Sequence, residues 1–443
     1  MRTNGMGMHK LPLYTFNQYM IKLYSKHINT NHSMKNNQFI EWFVGFSDGE
    51  SNFTIGLDKR GKKINFNFRF MIGLHRDDKP LLKYILNNLG CGYIQDNNTK
   101  YVSYFIITNP YHLKNILFPI FDSFPLNSTK YLDFLSFKKA LLIKLSESET
   151  SKNNEKTIDN ILNIKNNMNN KRSIFTLPYN HINITPYWLL GLIEAEGSFY
   201  LRINSLTPVF SLTLTKVQKP LIEAIIIFLK GMLDPYSLIK ADSGKLFHLN
   251  IEKAKDNTKE KIKFSIFQLD YLVNIFIPFL ESLNFKSKKS LDFDDFKIII
   301  MLIYQGKHLI KDVKSYIVQL SYSMNNYRLS TNTDVKKNFN KTCTTDKKLF
   351  YYIIEKFLSL PPLFILNDSG QIINSKTSDI VRDVFVIELI KTDNTVEIYP
   401  TITDTSISFK VSINTISSLI SNGTFLTDKG ISKINKIRVY KKL

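Results

Sequence analysis

The sequence is poor in cysteine and in acidic residues, and it has no long apolar run. Its two cysteines, Cys91 and Cys343, cannot form a disulfide framework, and neither lies in a Cys/His cluster of the kind that binds zinc. No apolar stretch approaches the roughly 18 residues that a membrane-spanning helix needs, so we expect no membrane partner. Asp and Glu total 38 against 59 Lys and Arg, and the resulting net charge of +21 predicts an anionic partner.

The first 40 residues contain no Asp or Glu at all. Such a segment is typical of an organellar transit peptide, which is one interpretation of it. The whole chain has 443 residues, 43% of them hydrophobic, which is enough for two or three domains with cores of their own.

A nine-residue phrase occurs twice, at residues 43–51 and 189–197, each time directly after a tryptophan. Apolar and polar residues alternate over 52–70 and again over 198–214, which predicts a β-hairpin after each copy. Each hairpin leads to a Lys-Pro-Leu helix start, at 79–81 and 219–221. Residues 126–134 and 285–293 also match. The sequence therefore predicts an internal duplication and an α+β fold of two pseudo-symmetric repeats.

The landmarks also predict the domain boundaries. We expect an N-terminal segment (1–37), a first repeat (38–145), a polar linker with a partly helical piece (146–183), a second repeat (184–312), a connecting segment (313–383) and a small C-terminal module (384–443). Within that module, two short strands are expected over 384–399 and two short helices over 403–410 and 412–421. The repeat is expected to end at about residue 312.

Small residues four apart mark one face of each duplicated helix: Gly45 with Gly49, and Gly191 with Ala195. Glycine inside a helix costs roughly 1 kcal/mol relative to alanine. Close packing of the two helices through these faces would offset that cost. The helix ends would then lie side by side.

Each helix ends in two acids, Asp48 and Glu50 in the first copy and Glu194 and Glu196 in the second. Residues two apart do not share a helix face, so only one acid per copy can point to a common centre. Two converging carboxylates repel each other unless a cation intervenes, and a few hard oxygen ligands suit Mg²⁺ that is completed by water and phosphate. The alternative is solvated charge, the ordinary interpretation of a single copy.

The polar faces of the two hairpins carry side chains suited to base edges and phosphates. These residues are Asn52, Thr54, Asn65, Asn67, Arg69, Tyr200, Arg202, Asn204, Ser211 and Thr213. Lys130 and Lys289 lie at matched places and could neutralise phosphate charge. The alternatives are a solvent-facing sheet and ordinary surface lysines.

The two phrases resemble the LAGLIDADG motifs of homing endonucleases and group I intron maturases, in the single-chain, two-motif form. The resemblance covers about residues 38–310. It implies αββαββα repeats, a β-saddle in the DNA major groove and Mg²⁺-dependent double-strand cleavage. It also implies that Glu50 and Glu196 bind the metal, and that Asp48 and Glu194 are structural. The sequence departs from the pattern in Ser51, where the family has glycine, and in using Glu at both metal positions.

The resemblance further implies that Lys130 and Lys289 assist catalysis and that Arg76 and Lys216 are a second polar pair that contacts DNA. Residues 1–13 resemble a stretch of mitochondrial cytochrome c oxidase subunit 1. An upstream exon that runs into an intron reading frame would explain this match, and we prefer this to a transit peptide. It implies a protein encoded and located in the mitochondrion.

The C-terminal module is similar to helix-turn-helix modules appended to intron-encoded nucleases, with residues 412–416 opening a recognition helix; a packing appendage is the alternative. We therefore expect a monomeric, site-specific endonuclease of double-stranded DNA that serves intron homing. The principal alternative is an RNA maturase, a splicing cofactor that binds its own group I intron RNA without cutting DNA. A DNA-binding regulator on the same scaffold is a third hypothesis.

Overall fold

The computed structural model describes residues 31–60, 63–147, 155–233, 246–254, 259–331, 347–369, 371–383, 385–399, 402–422 and 431–438. The exon-like match over 1–13, most of the expected N-terminal segment and part of the linker lie outside the described residues. So does nearly all of the Thr- and Asn-rich stretch that follows residue 330.

The first repeat is a four-stranded antiparallel sheet with helices on one face. Strand order is β1-β2-β4-β3. The elements are α1 (Asn31–Glu50), β1 (Ser51–Arg60), β2 (Lys63–His75), α2 (Lys79–Leu89), β3 (Tyr93–Asn97), β4 (Val102–Ile107), α3 (Pro110–His112, then a π-helical turn over Leu113–Leu117, then Phe118–Ser123) and α4 (Lys130–Glu147).

The second repeat has the same order, β5-β6-β8-β7. Its elements follow α5 (Glu155–Asn166) and are α6 (Pro186–Glu196), β5 (Gly197–Arg202), β6 (Thr207–Thr215), α7 (Lys219–Lys230), β7 (His248–Glu252), β8 (Lys261–Ile266), α8 (Leu269–Tyr271, then a π-helical turn over Leu272–Phe276, then Ile277–Glu281) and α9 (Lys289–Tyr304). The predicted α+β fold with two αββαββα repeats is confirmed.

Alternation along the strands places apolar side chains against the helices, as the period-2 pattern predicts. Phe53, Phe70 and Phe105 are fully buried in the first repeat, and Phe199 and Phe264 in the second. One continuous core contains all of them. In the described part of the chain, the helices of the two repeats pack on this face of the sheets, and the opposite face is called the open face.

The two hairpins differ from the sequence-based expectation at their turns. In the first hairpin, Asp58 pairs with Asn65 and the pairing continues to Arg60 with Lys63, although the polar residues from Asp58 onward favour a turn. In the second hairpin, β5 ends at Arg202. Ile203 lies in the short helical turn that follows, and its side chain is 36% exposed. That turn closes at Leu206, whose φ of 48° is left-handed and ends the alternation.

Helices α1 and α6 pack against each other through their small residues, as predicted. A Cβ atom at Gly191 would lie 2.6 Å from the Phe46 backbone nitrogen, and one at Gly45 would lie 2.7 Å from the Trp188 carbonyl carbon. Backbone atoms cannot move aside as a flexible side chain can. The two glycines therefore set how closely the helices approach.

The duplication extends further than the sequence analysis expected. Helix α5 lies in the stretch expected to be a linker, and α10 (Lys311–Ser321) lies in the connecting segment. Each is followed by a matched turn in which an asparagine and an arginine bind an aspartate of α4 or α9. Arg172 Nε lies 2.8 Å from Asp133, and Arg328 Nε lies 2.8 Å from Asp292. Asn169 and Asn325 also donate to the backbone carbonyls of Phe53 and Phe199.

The chain continues with α11 (Lys347–Ser359) and a small sheet of β9 (Phe364–Leu366), β10 (Ile372–Asn374) and β11 (Ile380–Arg382). The C-terminal module follows as β12 (Phe385–Lys391), β13 (Val396–Tyr399), α12 (Ile402–Phe409), α13 (Ile413–Asn422) and β14 (Ile431–Arg438). Its expected strands and helices are present. They enclose a separate small core.

Candidate active site

The ends of α1 and α6 are tied together by an exchange of hydrogen bonds between tryptophans and acids. Trp42 Nε1 donates to Glu194 over 2.6 Å, and Trp188 Nε1 donates to Asp48 over 2.8 Å. Each tryptophan thus binds the acid of the other repeat. Both acids are buried, with 6% exposure for Asp48 and 4% for Glu194.

Asp48 and Glu194 also hold the loops that precede α4 and α9. Asp48 accepts from the backbone N–H groups of Asn127 and Ser128, each over 2.9 Å. Glu194 accepts from the backbone N–H of Ser287 and from its hydroxyl. Burial raises the pKa of both carboxyls, and these hydrogen bonds oppose the rise. Asp48 and Glu194 thus join the paired helices to these loops.

Glu50 and Glu196 lie at the last position of the paired helices and are half-buried. The backbone at Gly49 is so close to Glu196 that an added Cβ would lie 3.1 Å from the Glu196 Cγ. Burial and repulsion from Glu196 raise the pKa of Glu50 to about 7, although Lys130 and Lys289 oppose the rise. Burial likewise raises the pKa of Glu196. These two acids therefore share one electrostatic environment.

Lys130 and Lys289 begin α4 and α9 and point toward the ends of the paired helices. Lys130 Nζ donates to the carbonyls of Ser47 over 3.0 Å and of Gly49 over 2.8 Å. Lys289 Nζ donates to the carbonyl of Gly197 over 2.5 Å. Burial lowers the pKa of Lys130 to about 8, against the attraction of the nearby acids, and lowers that of Lys289 too. Each lysine thus donates to a backbone carbonyl next to the last helical acid of its own repeat, and both Glu50 and Glu196 attract both lysines.

A cross-repeat latch lies directly before each lysine, formed by Gln218 with Thr129 and by Asp78 with Lys288. The Gln218 side chain accepts from the Thr129 backbone N–H over 3.1 Å and donates to its hydroxyl over 2.6 Å. Asp78 accepts from the Lys288 backbone N–H over 3.3 Å. Because Thr129 and Lys288 precede the two lysines, each repeat helps to position the lysine of the other.

A cavity of about 440 Å³ opens beside Glu50. Its polar lining includes Glu50, Asp78, Lys289 and Arg328, together with Asn325 from the matched turn after α10. The turn and the cavity therefore belong to the same region as the acids, although the sequence analysis placed residues after 312 outside the repeat.

The open face of the sheets carries most of the predicted DNA-contacting residues. Strand register places Asn52, Thr54, Asn65, Asn67, Arg69, Tyr200, Arg202, Ser211 and Thr213 on it. Ser211 departs from the expected polar surface, since it is only 4% exposed between Ser198 and Ser265.

Three predicted contacts lie outside the strands. Asn204 is exposed in the turn after β5. Arg76 stacks on the ring of Tyr101 at 4.6 Å, and Lys216 pairs with Glu260 at 2.8 Å. Asp78 and Gln218, two residues further along, are the polar pair that contacts the residues preceding Lys289 and Lys130.

Sequence reasoning missed the open-face residues of the outer strand pairs: Tyr93, Gln95, Tyr104, His248, Asn250, Lys261 and Lys263. The signal was present, because residues 261–266 alternate between polar and apolar side chains. Only the pairing of β4 with β2 and of β8 with β6 shows that these residues share a face with the polar residues of the two hairpins.

The donor set suits a hard divalent cation. Two half-buried carboxylates that repel each other gain stability when a cation lies between them, and oxygen donors are the ligands that Mg²⁺ prefers. In the described part of the chain, no group of three or more His, Cys, Asp or Glu side chains could hold a metal. An ion here would depend on Glu50 and Glu196, with water and substrate oxygens completing its ligands. Across the same residues, no helix is long and apolar enough to cross a membrane.

Comparison with known proteins adds independent information. Residues 43–141 and 189–300 match the family model described as LAGLIDADG endonuclease. The uncharacterized mitochondrial protein RF1 of Saccharomyces cerevisiae is 27% identical over 91% of this chain and 83% of its own length. The probable intron-encoded endonuclease Cox1-I1b of Schizosaccharomyces pombe is 30% identical over 56% of this chain and 62% of its own length, less than two thirds of that protein.

Solved structures show the same fold. The LAGLIDADG homing endonuclease I-GzeII, in complex with its DNA target, aligns with a TM-score of 0.55 and 23% identity, over 65% of this chain and 99% of its own. The meganuclease I-CpaMI, bound to uncleaved DNA, aligns with a TM-score of 0.54 and 24% identity over the same shares. Both alignments cover 65% of this chain, so the agreement concerns the fold of that share.

Proposed function

Since this chain belongs to the LAGLIDADG endonuclease family, in its two-motif single-chain form, we propose that it is a site-specific DNA endonuclease. We infer that it is a mitochondrial protein of the intron-encoded kind, since RF1 is described as mitochondrial and Cox1-I1b as intron-encoded. The observation that supports the activity best is the convergence of Glu50 and Glu196 at the ends of two packed helices, with two half-buried lysines, Lys130 and Lys289, near them.

In the proposed mechanism, Glu50 and Glu196 hold a divalent cation, with Mg²⁺ favoured by the oxygen donors. When bound, such an ion activates water and stabilises the leaving oxygen in phosphodiester hydrolysis. Lys130 and Lys289 stabilise the charge that develops on each scissile phosphate. Their ammonium groups are held by backbone carbonyls, so they are already oriented before DNA binds.

The open sheet faces orient the duplex over this centre. Their Asn, Thr, Tyr and Arg side chains offer donors and acceptors to base edges in the major groove. Because one chain supplies both repeats, the protein can act as a monomer, and its target need not be symmetric. The net charge of +21 attracts the DNA backbone.

The test begins with duplexes selected by the full-length protein from a randomised library in the presence of EDTA. Each strand of a selected duplex is then labelled, and cleavage is followed with and without Mg²⁺. We expect the wild type to cut both strands only with Mg²⁺. Glu50→Gln and Glu196→Gln proteins should bind the duplex but fail to complete the double-strand break.

The matched control is Glu223→Gln, the same change at an exposed acid of α7 that pairs with Lys219 in its own helix. It should cut as the wild type does. Unchanged cleavage by a Glu50→Gln/Glu196→Gln double variant would disprove the catalytic assignment, and cleavage in EDTA would disprove the metal requirement.

The resemblance to group I intron maturases supports a second role, in which the protein assists splicing of its own intron. The double variant separates the two activities. If cleavage is lost and splicing of the host intron persists, the roles use different groups. If the protein promotes splicing but the wild type never cuts a selected duplex, the maturase alternative replaces the endonuclease.

A further inference from the structure

The open faces of the two sheets have the same backbone but different chemistry next to the active centre. In the first repeat, Met71 faces Asn52 on one side and Ile106 on the other. In the second, Ser211 occupies the equivalent place, between Ser198 and Ser265. Asn52 and Ser198 each follow the metal-site glutamate by two residues, so these positions lie beside the proposed cleavage centre.

The repeat-1 patch consists of Met71, Tyr93, Tyr104 and Ile106. Tyr104 faces Gly73, and a Cβ atom at Gly73 would lie 2.8 Å from the Tyr104 ring. The ring therefore occupies the space above the glycine and lies against the strand. Tyr93 is 44% exposed, and Ile106 is buried beneath the group at 2%. The patch is a preformed apolar surface.

The repeat-2 patch consists of the equivalent residues Ser211, His248, Lys263 and Ser265. Lys263 takes the place of Tyr104, and its Nζ lies 5.3 Å from the centre of the Tyr200 ring. Lys261 lies two residues before Lys263, on the same face of β8. It is exposed and faces Glu252. This surface presents charged hydrogen-bond donors, whereas the repeat-1 patch presents apolar side chains.

Base pairs differ in the major groove in a way that matches this contrast. Thymine presents its methyl group, which apolar side chains contact, whereas guanine presents two acceptors, which lysine binds. Removing an apolar surface from water is favourable, and a buried methyl or methylene group contributes roughly a fourfold change in affinity.

On the basis of the endonuclease function proposed above, we propose that the half-site under the first repeat carries thymines next to the cleavage centre, and that their methyl groups pack on Met71 and Tyr104. The matching positions under the second repeat are read by Lys263 through the acceptors of guanine. The target is then asymmetric because the two faces select different base pairs.

Uracil substitution tests the methyl contact directly, since deoxyuridine keeps the hydrogen-bonding edge of thymine and lacks only the methyl group. The probe is a duplex selected by the full-length wild type from the randomised library in EDTA. Each thymine next to the centre is replaced in turn, and binding is measured. In the half-site under the first repeat, we expect roughly a fourfold loss per methyl group. Unchanged binding there overturns the inference without any variant.

Variants assign the effect to one face. In a Met71→Ser/Tyr104→Lys protein, which carries the repeat-2 residues, the uracil effect should vanish and thymine should no longer be enriched. A Lys263→Gln protein should keep the uracil effect and lose the guanine preference of the other half. If Lys263→Gln abolishes the uracil effect as the double variant does, the assignment to the first repeat is wrong.

The library separates failure of this inference from failure of the proposed function. If the wild type enriches no sequence, site-specific DNA recognition fails and the inference fails with it. If it enriches a sequence without thymine at these positions, the proposed function stands and only the inference is overturned.

Discussion

Alanine at Gly191 tests the claim that backbone contact between α1 and α6 builds the site. Two effects compete. Alanine is the better helix former, by about 1 kcal/mol. Its Cβ, however, would lie 2.6 Å from the Phe46 nitrogen and 3.0 Å from the Trp42 carbonyl carbon, and nearer still to the Trp42 oxygen. Overpacking of this kind costs about 3 kcal/mol when rigid atoms must move. We expect a net loss of about 2 kcal/mol in the free energy of unfolding.

The assay is thermal unfolding of the full-length protein, followed by circular dichroism. Gly56→Ala is the matched control, because a Cβ atom there would lie 3.5 Å from Asn67, an ordinary contact distance. The control should unfold at or slightly above the wild-type temperature. The Gly191→Ala protein should also cleave DNA more slowly, since its helix ends carry Glu50 and Glu196.

A second substitution sharpens the test. Gly45→Ala separates the same two helices, because its Cβ would meet the Trp188 backbone. One displacement relieves both clashes, so the double variant should lose less stability than the two single losses combined. If Gly191→Ala is as stable as the wild type, or if the losses add fully, the backbones do not meet at these glycines.

Three further predictions follow from the site. Trp188→Phe removes the indole donor from buried Asp48 and should lower the free energy of unfolding by roughly 1.5–3 kcal/mol, measured by thermal unfolding; an unchanged stability would contradict the bond. Because the folded pKa of Glu50 is raised to about 7 from 4.5, its ionisation weakens the folded state as pH rises between these values. Without metal, Glu50→Gln should therefore stabilise the protein above pH 7, by up to about 3 kcal/mol, and should have no effect below pH 4.5. A benefit confined to low pH would reverse the assigned sign. Gln218→Ala breaks the latch to Thr129 and should cost about 1 kcal/mol of stability while slowing cleavage of one strand more than the other; equal slowing of both labelled strands would contradict a role in placing Lys130.

The duplication could be predicted because its signals are local patterns along the sequence. Small residues four apart, alternating strands and a Lys-Pro helix start recur in order, and each is a local signal. The same spacing argument limited the shared centre to one acid per helix, and the family resemblance selected Glu50 and Glu196. The structure places these two beside each other, with Asp48 and Glu194 buried in hydrogen bonds.

Other features are present in the sequence, but the residues around them do not indicate which partners they contact. The asparagine–arginine turns at 169–172 and 325–328 match closely, yet nothing in their own segments shows that they bind Asp133 and Asp292. Their separation from these partners is more than 30 residues. The stretches around them were therefore interpreted as linker and connecting segment, although both belong to the duplicated unit.

The sequence by itself determined the architecture, the two helix faces that pack together and the acids at their ends, because periodicity and small-residue spacing are local properties of a chain. Only the tertiary structure decided which groups surround those acids. The bond from Trp42 to Glu194 spans 152 positions, and the latch from Asp78 to Lys288 spans 210. Such pairs depend on how the two helices cross and on which loops then meet, so no spacing along the chain could have predicted them.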